Sequence, residues 1–474
     1  MLTSLLEIIF NLSLIISYQK LNKQIVGDKM KFHQGCVHCK NNLSFTMPKE
    51  IVDAAVDEKL VIFAGAGIST EGRGVLPYSF YDEVCKDLRI KSNPDKYPFP
   101  KIVNKYCEKF GRNQMIEKIM KRFQMIQSFP ELYYEATKFH KELSTISQIK
   151  LIFTTNWDTF FEDECGAIAF VSSKDFAFWN VPGRKVFKIH GSISNIGSII
   201  ATEEDYNKSY RQLKNELIGN YLKIALSTQK FLFCGFSMND KDFQKILQLL
   251  KKELKDYSPR FYLVTLDQQI DKQKLREYNI QPIFTDATFF IHKLKLRLIR
   301  QKALFDDKIF IDVCKKSHEI EYIHDKINED NLPLTYPISI YTLAYQDGIM
   351  HAFDRMLVRS KTGEYSNCCR VSAVIHTYEN IIKQMVKSKN YMGVAYTRGY
   401  LNGLYFLVLG KKGQKMMPLY YLYNEEICAN YNGYKKILHD NRIFHKQSHD
   451  VAKQIIEKMK IGLEGIVFHH RPIL

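Results

Sequence analysis

Apolar residues in the first 300 positions come in short runs. Lys59-Leu-Val-Ile-Phe-Ala64 is one, followed at once by glycines, and it predicts a buried strand. Similar runs predict strands over 149–154, 167–171, 185–189, 230–234, 260–266 and 283–285. Between them the apolar positions recur every three or four residues, which predicts helices. These are 49–58, with Ile51, Ala54 and Ala55 on one face, then 205–227, 240–255 and 270–278. A long helical stretch fills 78–147, with few breakers beyond the prolines near 94–100. Buried strands alternating with helices predict a parallel sheet covered on both faces. Ligands of such sheets bind outside the carboxyl ends of the strands.

From about residue 300 the alternation stops. Helical spacing runs over 340–356, 371–389, 394–409 and 449–459, and the two prolines of 331–338 suggest a linker. The expected fold class is therefore α/β: a Rossmann-like parallel sheet with a helical insertion, followed by a mostly α-helical C-terminal domain. The expected domains are 47–300 and 335–474, with 1–46 as an N-terminal appendage. Met30 and Met47 both read as alternative starts. Met1–Ser17 is apolar but holds Glu7 and Asn11, lacks a basic lead and is short for a bilayer. Neither a signal peptide nor a membrane span is expected.

A chain of 474 residues suits two domains, and 45% apolar with 25% charged residues is the composition of a globular protein. The formal net charge of +17 is spread over both halves. With no basic run and no nucleic-acid motif, nucleic acid is not expected as a main partner. The ten cysteines are scattered, which fits a reducing, cytoplasmic setting better than a disulfide scaffold. Cys36-Val-His-Cys39, with His33 nearby, is a lone pair where a zinc knuckle needs four ligands, so two free thiols is the preferred reading.

Four segments at strand ends carry candidate chemistry. In Ala64-Gly65-Ala66-Gly67-Ile68-Ser69-Thr70 the glycines let backbone approach a pyrophosphate, and a following helix N-terminus would favour its charge. A dinucleotide fingerprint would have a third glycine where Thr70 stands, and a plain tight turn explains the loop equally well. The hydroxyls of Ser69 and Thr70 suit a phosphate contact or a helix cap. Thr154-Thr155-Asn156-Trp157-Asp158 can project two polar groups into one crevice, or simply cap the next helix. His190-Gly191 offers a base that titrates near neutrality, although a lone histidine at a strand end is more often structural. Gly235-Phe236-Ser237 again ends a strand with a small residue and a hydroxyl.

Taken together and in this order, the four segments resemble the sirtuin superfamily, over about 250 residues. The resemblance implies that Ala64, Gly65, Ala66, Gly67, Ser69 and Thr70 hold the pyrophosphate of NAD. It implies that Asn156 meets the nicotinamide ribose, Asp158 the carboxamide, and Gly235 and Ser237 the adenosine side, with Thr265-Leu266-Asp267 near its ribose. His190 would be the catalytic base, with Asn156 beside it in catalysis.

Two departures separate the chain from the protein deacylases of that superfamily. Residues 192–230 hold no cysteine, so the four-cysteine zinc module is missing and no zinc is expected in the catalytic domain. The stretch Glu71–Asp82 lacks the Asp-Phe-Arg that follows the glycine loop in deacylases. These features, with Thr202-Glu-Glu-Asp-Tyr206, look like the sirtuin-like domains of bacterial anti-phage systems such as the Thoeris NADase and the effectors of short Argonautes. The resemblance implies an NAD glycohydrolase releasing nicotinamide and ADP-ribose, with NAD as substrate rather than cofactor. An NAD-dependent deacylase and a non-catalytic NAD or ADP-ribose sensor are the alternatives. Because unchecked loss of NAD is lethal, 335–474 is expected to restrain, oligomerise or trigger the enzyme, through a homo-oligomer or a sensor partner.

Overall fold

The computed structural model describes residues 43–72, 74–94, 96–236, 244, 245, 248, 259–423, 425–440, 445–460 and 468–472. Strands β1 (Leu60–Ala64), β2 (Leu151–Thr154), β3 (Ile168–Phe170), β4 (Lys185–Lys188), β5 (Lys230–Cys234), β6 (Phe261–Thr265) and β7 (Ile280–Phe284) form one sheet. Its order is β3-β4-β2-β1-β5-β6-β7 and every pairing is parallel. Parallel strands need covering on both faces, and β1 shows how this is met. Leu60, Ile62 and Ala64 point into a core shared with Ile51, Phe139, Leu143, Phe290 and Leu294. Val61 and Phe63 point into the opposite core, with Leu222, Ala225, Leu226 and Leu275. On that second face the phenylalanines of neighbouring strands meet: Phe63 lies 6.0 Å from Phe153, and Phe153 lies 4.7 Å from Phe187, ring centroid to centroid.

Register sets the position of the site. Ala64 is level with Thr154 on one side and with Cys234 on the other, and Thr154 is level with Lys188. Four loops therefore leave the sheet at one height. The chain runs from β1 to β2 on one side but reaches β5 on the other, so the switch in direction lies at β1, where such folds bind ligands.

The helical stretch 78–147 is four helices, Phe80–Leu88, Phe99–Phe110, Arg112–Ser128 and Pro130–Ser144. The breaks fall at Arg89, which is left-handed, at Pro98, at Gly111 and before Pro130. The expected 205–227 helix is also two, Glu203–Asn215 and Leu217–Thr228. The expected helix 240–255 lies largely outside the described residues.

Beyond the sheet the chain is mostly helical. Helices Lys308–Glu329, Ile340–Val358, Cys368–Lys387, Tyr391–Val408 and Lys446–Lys460 surround one core, joined by a small antiparallel hairpin, Tyr420–Leu422 with Glu425–Ile427. The segment 331–338, read as a linker, instead sits within this core, where Leu332 and Ile338 are buried with Phe310 and Ile320. Its prolines begin short turns rather than a flexible connection. Backbone bonds from Phe305 to Ser366 (2.9 Å) and from Cys368 to Ala303 (3.3 Å) tie the helical part to the end of the sheet domain. Among the described residues no helix is long and apolar enough to cross a membrane.

Candidate functional site

The glycine loop and the β5 end interlock. Gly65 N–H donates to Cys234 O (2.8 Å) and Gly67 N–H to Gly235 O (3.1 Å). Gly235 has φ +76°, and a Cβ on it would lie 2.7 Å from Gly65 O. These contacts are closer than any side chain allows, which accounts for glycine at both positions.

After the loop, Ala66–Ile68 makes one 3-10 turn and no α-helix begins until Phe80. The helix N-terminus expected there for a pyrophosphate is thus a single turn, and its dipole is correspondingly small. Gly72 and Gly74 follow within a few residues and divert the chain. The hydroxyl of Ser69 serves neither a cap nor the solvent. It is fully buried and donates to Asp158 Oδ2 at 2.6 Å. Thr70 is buried next to it, while Ala66 and Gly67 are more open.

Asp158 uses its second oxygen, Oδ1, to accept the N–H of Phe160 (3.2 Å), which starts helix Phe160–Cys165. Asp158 thus holds the first N–H of that helix from one residue before the N-cap Thr159. Asn156 is held by its backbone N–H to Thr154 Oγ1 (3.0 Å) and by its amide to Gly65 O (3.2 Å). Thr154 Oγ1 in turn donates to Ala64 O (3.0 Å). Asn156 Oδ1 is buried and has no hydrogen-bond partner among the described residues. A buried acceptor left open is costly unless something fills it.

His190 stands one strand away, at the end of β4. It is 4% exposed, and its ring meets that of Tyr206 edge to face at 5.0 Å. It follows β4 as Asn156 follows β2, and the ends of those two strands are level. Tyr206 lies on the helix opened by Thr202-Glu-Glu-Asp205. There Thr202 and Asp205 cap each other's backbone at 3.1 and 3.2 Å, and Arg112 fastens Asp205 at 2.7 Å. Gly235 is in place, and Ser237 lies outside the described residues. Thr265 Oγ1 accepts the N–H of Asp267 (3.1 Å), forming the turn at the β6 end.

Two residues beneath the crevice carried no assigned role in the sequence. Lys188, with its side chain fully buried, donates to the backbone carbonyl of Asp158 and pairs with Glu162 at 3.1 Å. Burial pushes the Glu162 carboxyl up from its ordinary value, and the Lys188 charge opposes this. Arg122, also buried, holds Glu71 (3.0 Å), Glu83 (2.9 Å) and the carbonyl of Tyr78 (3.0 Å), and so pins the stretch after the glycine loop to the insertion. No local signal marked either, since the side-chain partners of both lie far along the chain. Behind Asp158, burial among Phe139, Phe160 and Phe161 pushes the His140 imidazole down to about 4.

Residues 150–283 match the model of the SIR2-like domain family. The match begins just before β2 and spans Asn156, Asp158, His190 and Gly235. The chain carries a SIR2-like domain. Its relatives point the same way. It is 23% identical over 297 residues to defense-associated sirtuin 2 of Bacillus subtilis, covering 59% of this chain and 29% of that protein. It is 25% identical over 276 residues to the NAD(+) hydrolase ThsA of Acinetobacter baumannii (strain 532279), covering 56% and 52%. With the ThsA of Cytobacillus dafuensis it shares 22% over 291 residues, covering 54% and 56%. The chain thus spans between about a quarter and a little over half of these relatives.

Proposed function

We propose that the SIR2-like domain hydrolyses NAD at the nicotinamide–ribose bond, giving nicotinamide, ADP-ribose and a proton, and that it acts in the cytoplasm as an anti-phage effector. The observation that carries this reading is Asn156 Oδ1, a buried acceptor without a partner, held at the rim where the β1, β2, β4 and β5 loops emerge together. Support comes from relatives named NAD(+) hydrolase and defense-associated sirtuin.

Nicotinamide in NAD is already cationic, so it leaves without a strong acid, and the ribose passes through an oxocarbenium-like state. Asn156 would orient the attacking water through its open carbonyl. His190 would take the proton of that water, the β4 end and Tyr206 fixing its ring. Asp158, gripped by Ser69 and Phe160, would present a fixed negative group to the carboxamide. The Gly65–Gly67 backbone would lie along the pyrophosphate, with Ser69, Thr70, Ala64 and Ala66 shaping the loop, and Gly235, interlocked with it, would lie on the adenosine side. Ser237 would face the adenosine side. No step calls for a metal.

The deciding experiment follows nicotinamide and ADP-ribose released from NAD by full-length protein, beside Asn156→Ala and His190→Ala. Release that vanishes in both variants while both stay folded is the expected result. Full activity in both would remove the assignment.

A further inference from the structure

The helical part of the chain holds a second convergence of polar groups, far in sequence from the NAD residues. His324 comes from helix Lys308–Glu329, Asp347 from Ile340–Val358, and His469 from the C-terminal segment. His324 is 1% exposed and Asp347 2% exposed, both inside an apolar core. His324 Nε2 lies 3.3 Å and His469 Nδ1 3.1 Å from the same oxygen, Asp347 Oδ1. One ligand atom from each of the three residues falls within 4.8 Å of the others.

Hydrogen bonding alone leaves this cluster incomplete. His324 Nε2 is fully buried yet makes no aligned hydrogen bond. The other carboxylate oxygen, Asp347 Oδ2, is taken by the backbone N–H of His470 at 2.6 Å. That bond turns Oδ1 toward the two imidazoles, as outer partners turn the carboxylate ligands of metal sites. The two rings lie 4.6 Å apart between centroids at 14°, and each brings one nitrogen to that oxygen.

We infer that His324, Asp347 and His469 bind a divalent cation of the zinc class, which fastens the C-terminal segment to the helical core. Zinc held at about 2.0–2.1 Å from each ligand in a tetrahedron sets neighbouring ligand atoms about 3.3 Å apart. The two nitrogen–oxygen separations already match that edge. Two imidazoles with one carboxylate favour such a metal over calcium or magnesium, which take oxygen ligands. Three protein ligands leave a fourth position, reached by water from the exposed side of His469. Metal at Nε2 puts the proton of His324 on Nδ1, which faces the Asn328 amide at 3.3 Å. The amide then turns to present its oxygen there and gives up the N–H of Phe468 (3.2 Å).

The test uses full-length protein stripped with a chelator and titrated with zinc chloride, with bound metal read by elemental analysis. Wild type and a Cys36→Ser/Cys39→Ser variant are expected to bind one equivalent. His469→Ala, at an exposed position that the fold tolerates, and Asp347→Asn are expected to lose it or bind about tenfold more weakly or worse. Zinc should also slow amide exchange at 469–471 in wild type but not in His469→Ala. The inference is overturned if no zinc binds, if His469→Ala keeps full affinity, or if the equivalent disappears with the cysteines instead.

Discussion

Gly65 and Gly235 each occupy the space that a side chain on the other would need: a Cβ on Gly65 would meet Gly235 O at 2.6 Å, and a Cβ on Gly235 would meet Gly65 O at 2.7 Å. Neither contact can relax, because both partners are backbone. Gly235→Ala adds the cost of a left-handed alanine at φ +76°. We expect it to destabilise the protein by about 1–3 kcal/mol and to abolish NAD binding. Denaturant unfolding and calorimetric titration with NAD measure the two effects. Binding kept at wild-type affinity would show that this joint does not shape the NAD site.

Ser69→Ala removes the donor to Asp158 Oδ2 and leaves a buried carboxylate oxygen short of one bond. The expected loss is about 1–3 kcal/mol of stability, with nicotinamide release falling further than that loss explains. A variant that unfolds earlier but turns over at the wild-type rate would confine Ser69 to a structural role.

Lys188→Met strands Glu162 and frees the carbonyl of Asp158. Breaking a buried pair costs about 3–5 kcal/mol. In the double variant Lys188→Met/Glu162→Met, stability should largely return, since no buried charge is left alone. Turnover should stay low, because nothing then holds the backbone of Asp158. Recovery of both together would place Lys188 in folding only.

His140 makes stability depend on pH. Burial holds its folded pKa near 4, against 6.5 for the free group. Between these values the unfolded chain binds the proton and the folded chain does not. The stability is therefore fully present above pH 6.5 and is lost as pH falls toward 4, by roughly 3 kcal/mol in all. Unfolding midpoints at pH 7 and pH 4.5 should differ in wild type and differ less in His140→Leu, where the lowered carboxyls of Glu142, Asp205 and Asp347 still contribute. An unchanged difference in that variant would assign the acid sensitivity elsewhere.

Gly363 turns at φ +66° where the helical part meets the end of the insertion, and a Cβ there would lie 2.8 Å from Ser144 O. Gly363→Val should wedge the two parts apart. If the helical part governs NAD hydrolysis, as the proposed effector role requires, the rate of the full-length protein should change at least severalfold. A wild-type rate alongside a lowered melting temperature would count against that control.

The strands were legible in the sequence because each is a short apolar run ended by polar or small residues, and the site segments follow such ends directly. Helix Lys308–Glu329 was not. Its buried residues Phe310, Val313, Ile320 and Ile327 form a thin stripe among charges, which a periodicity reading passes over. Lys188 and Arg122 were hidden for another reason: their partners lie 26 to 51 residues away, so no local pattern reveals that these cations are buried. The single turn after the glycine loop escaped because the sequence shows glycines but neither the non-helical backbone of Ser69 nor its bond to Asp158, 89 residues away.

Arg184, just before β4, is buried and donates to five carbonyls, those of Leu143, Ser144, Ile146, Ile149 and Cys165. These belong to the trailing ends of two helices and the turn leading into β2, where helix dipoles place partial negative charge. A guanidinium keeps its proton at any pH the protein survives. At this joint the amino end of the sheet thus carries a charge that does not change with pH. At the carboxyl end stands His190, proposed above as the base that takes a proton from water. The Arg184 joint is thus independent of the proton transfer proposed at the other end, and a change of pH that alters the rate leaves its contacts in place.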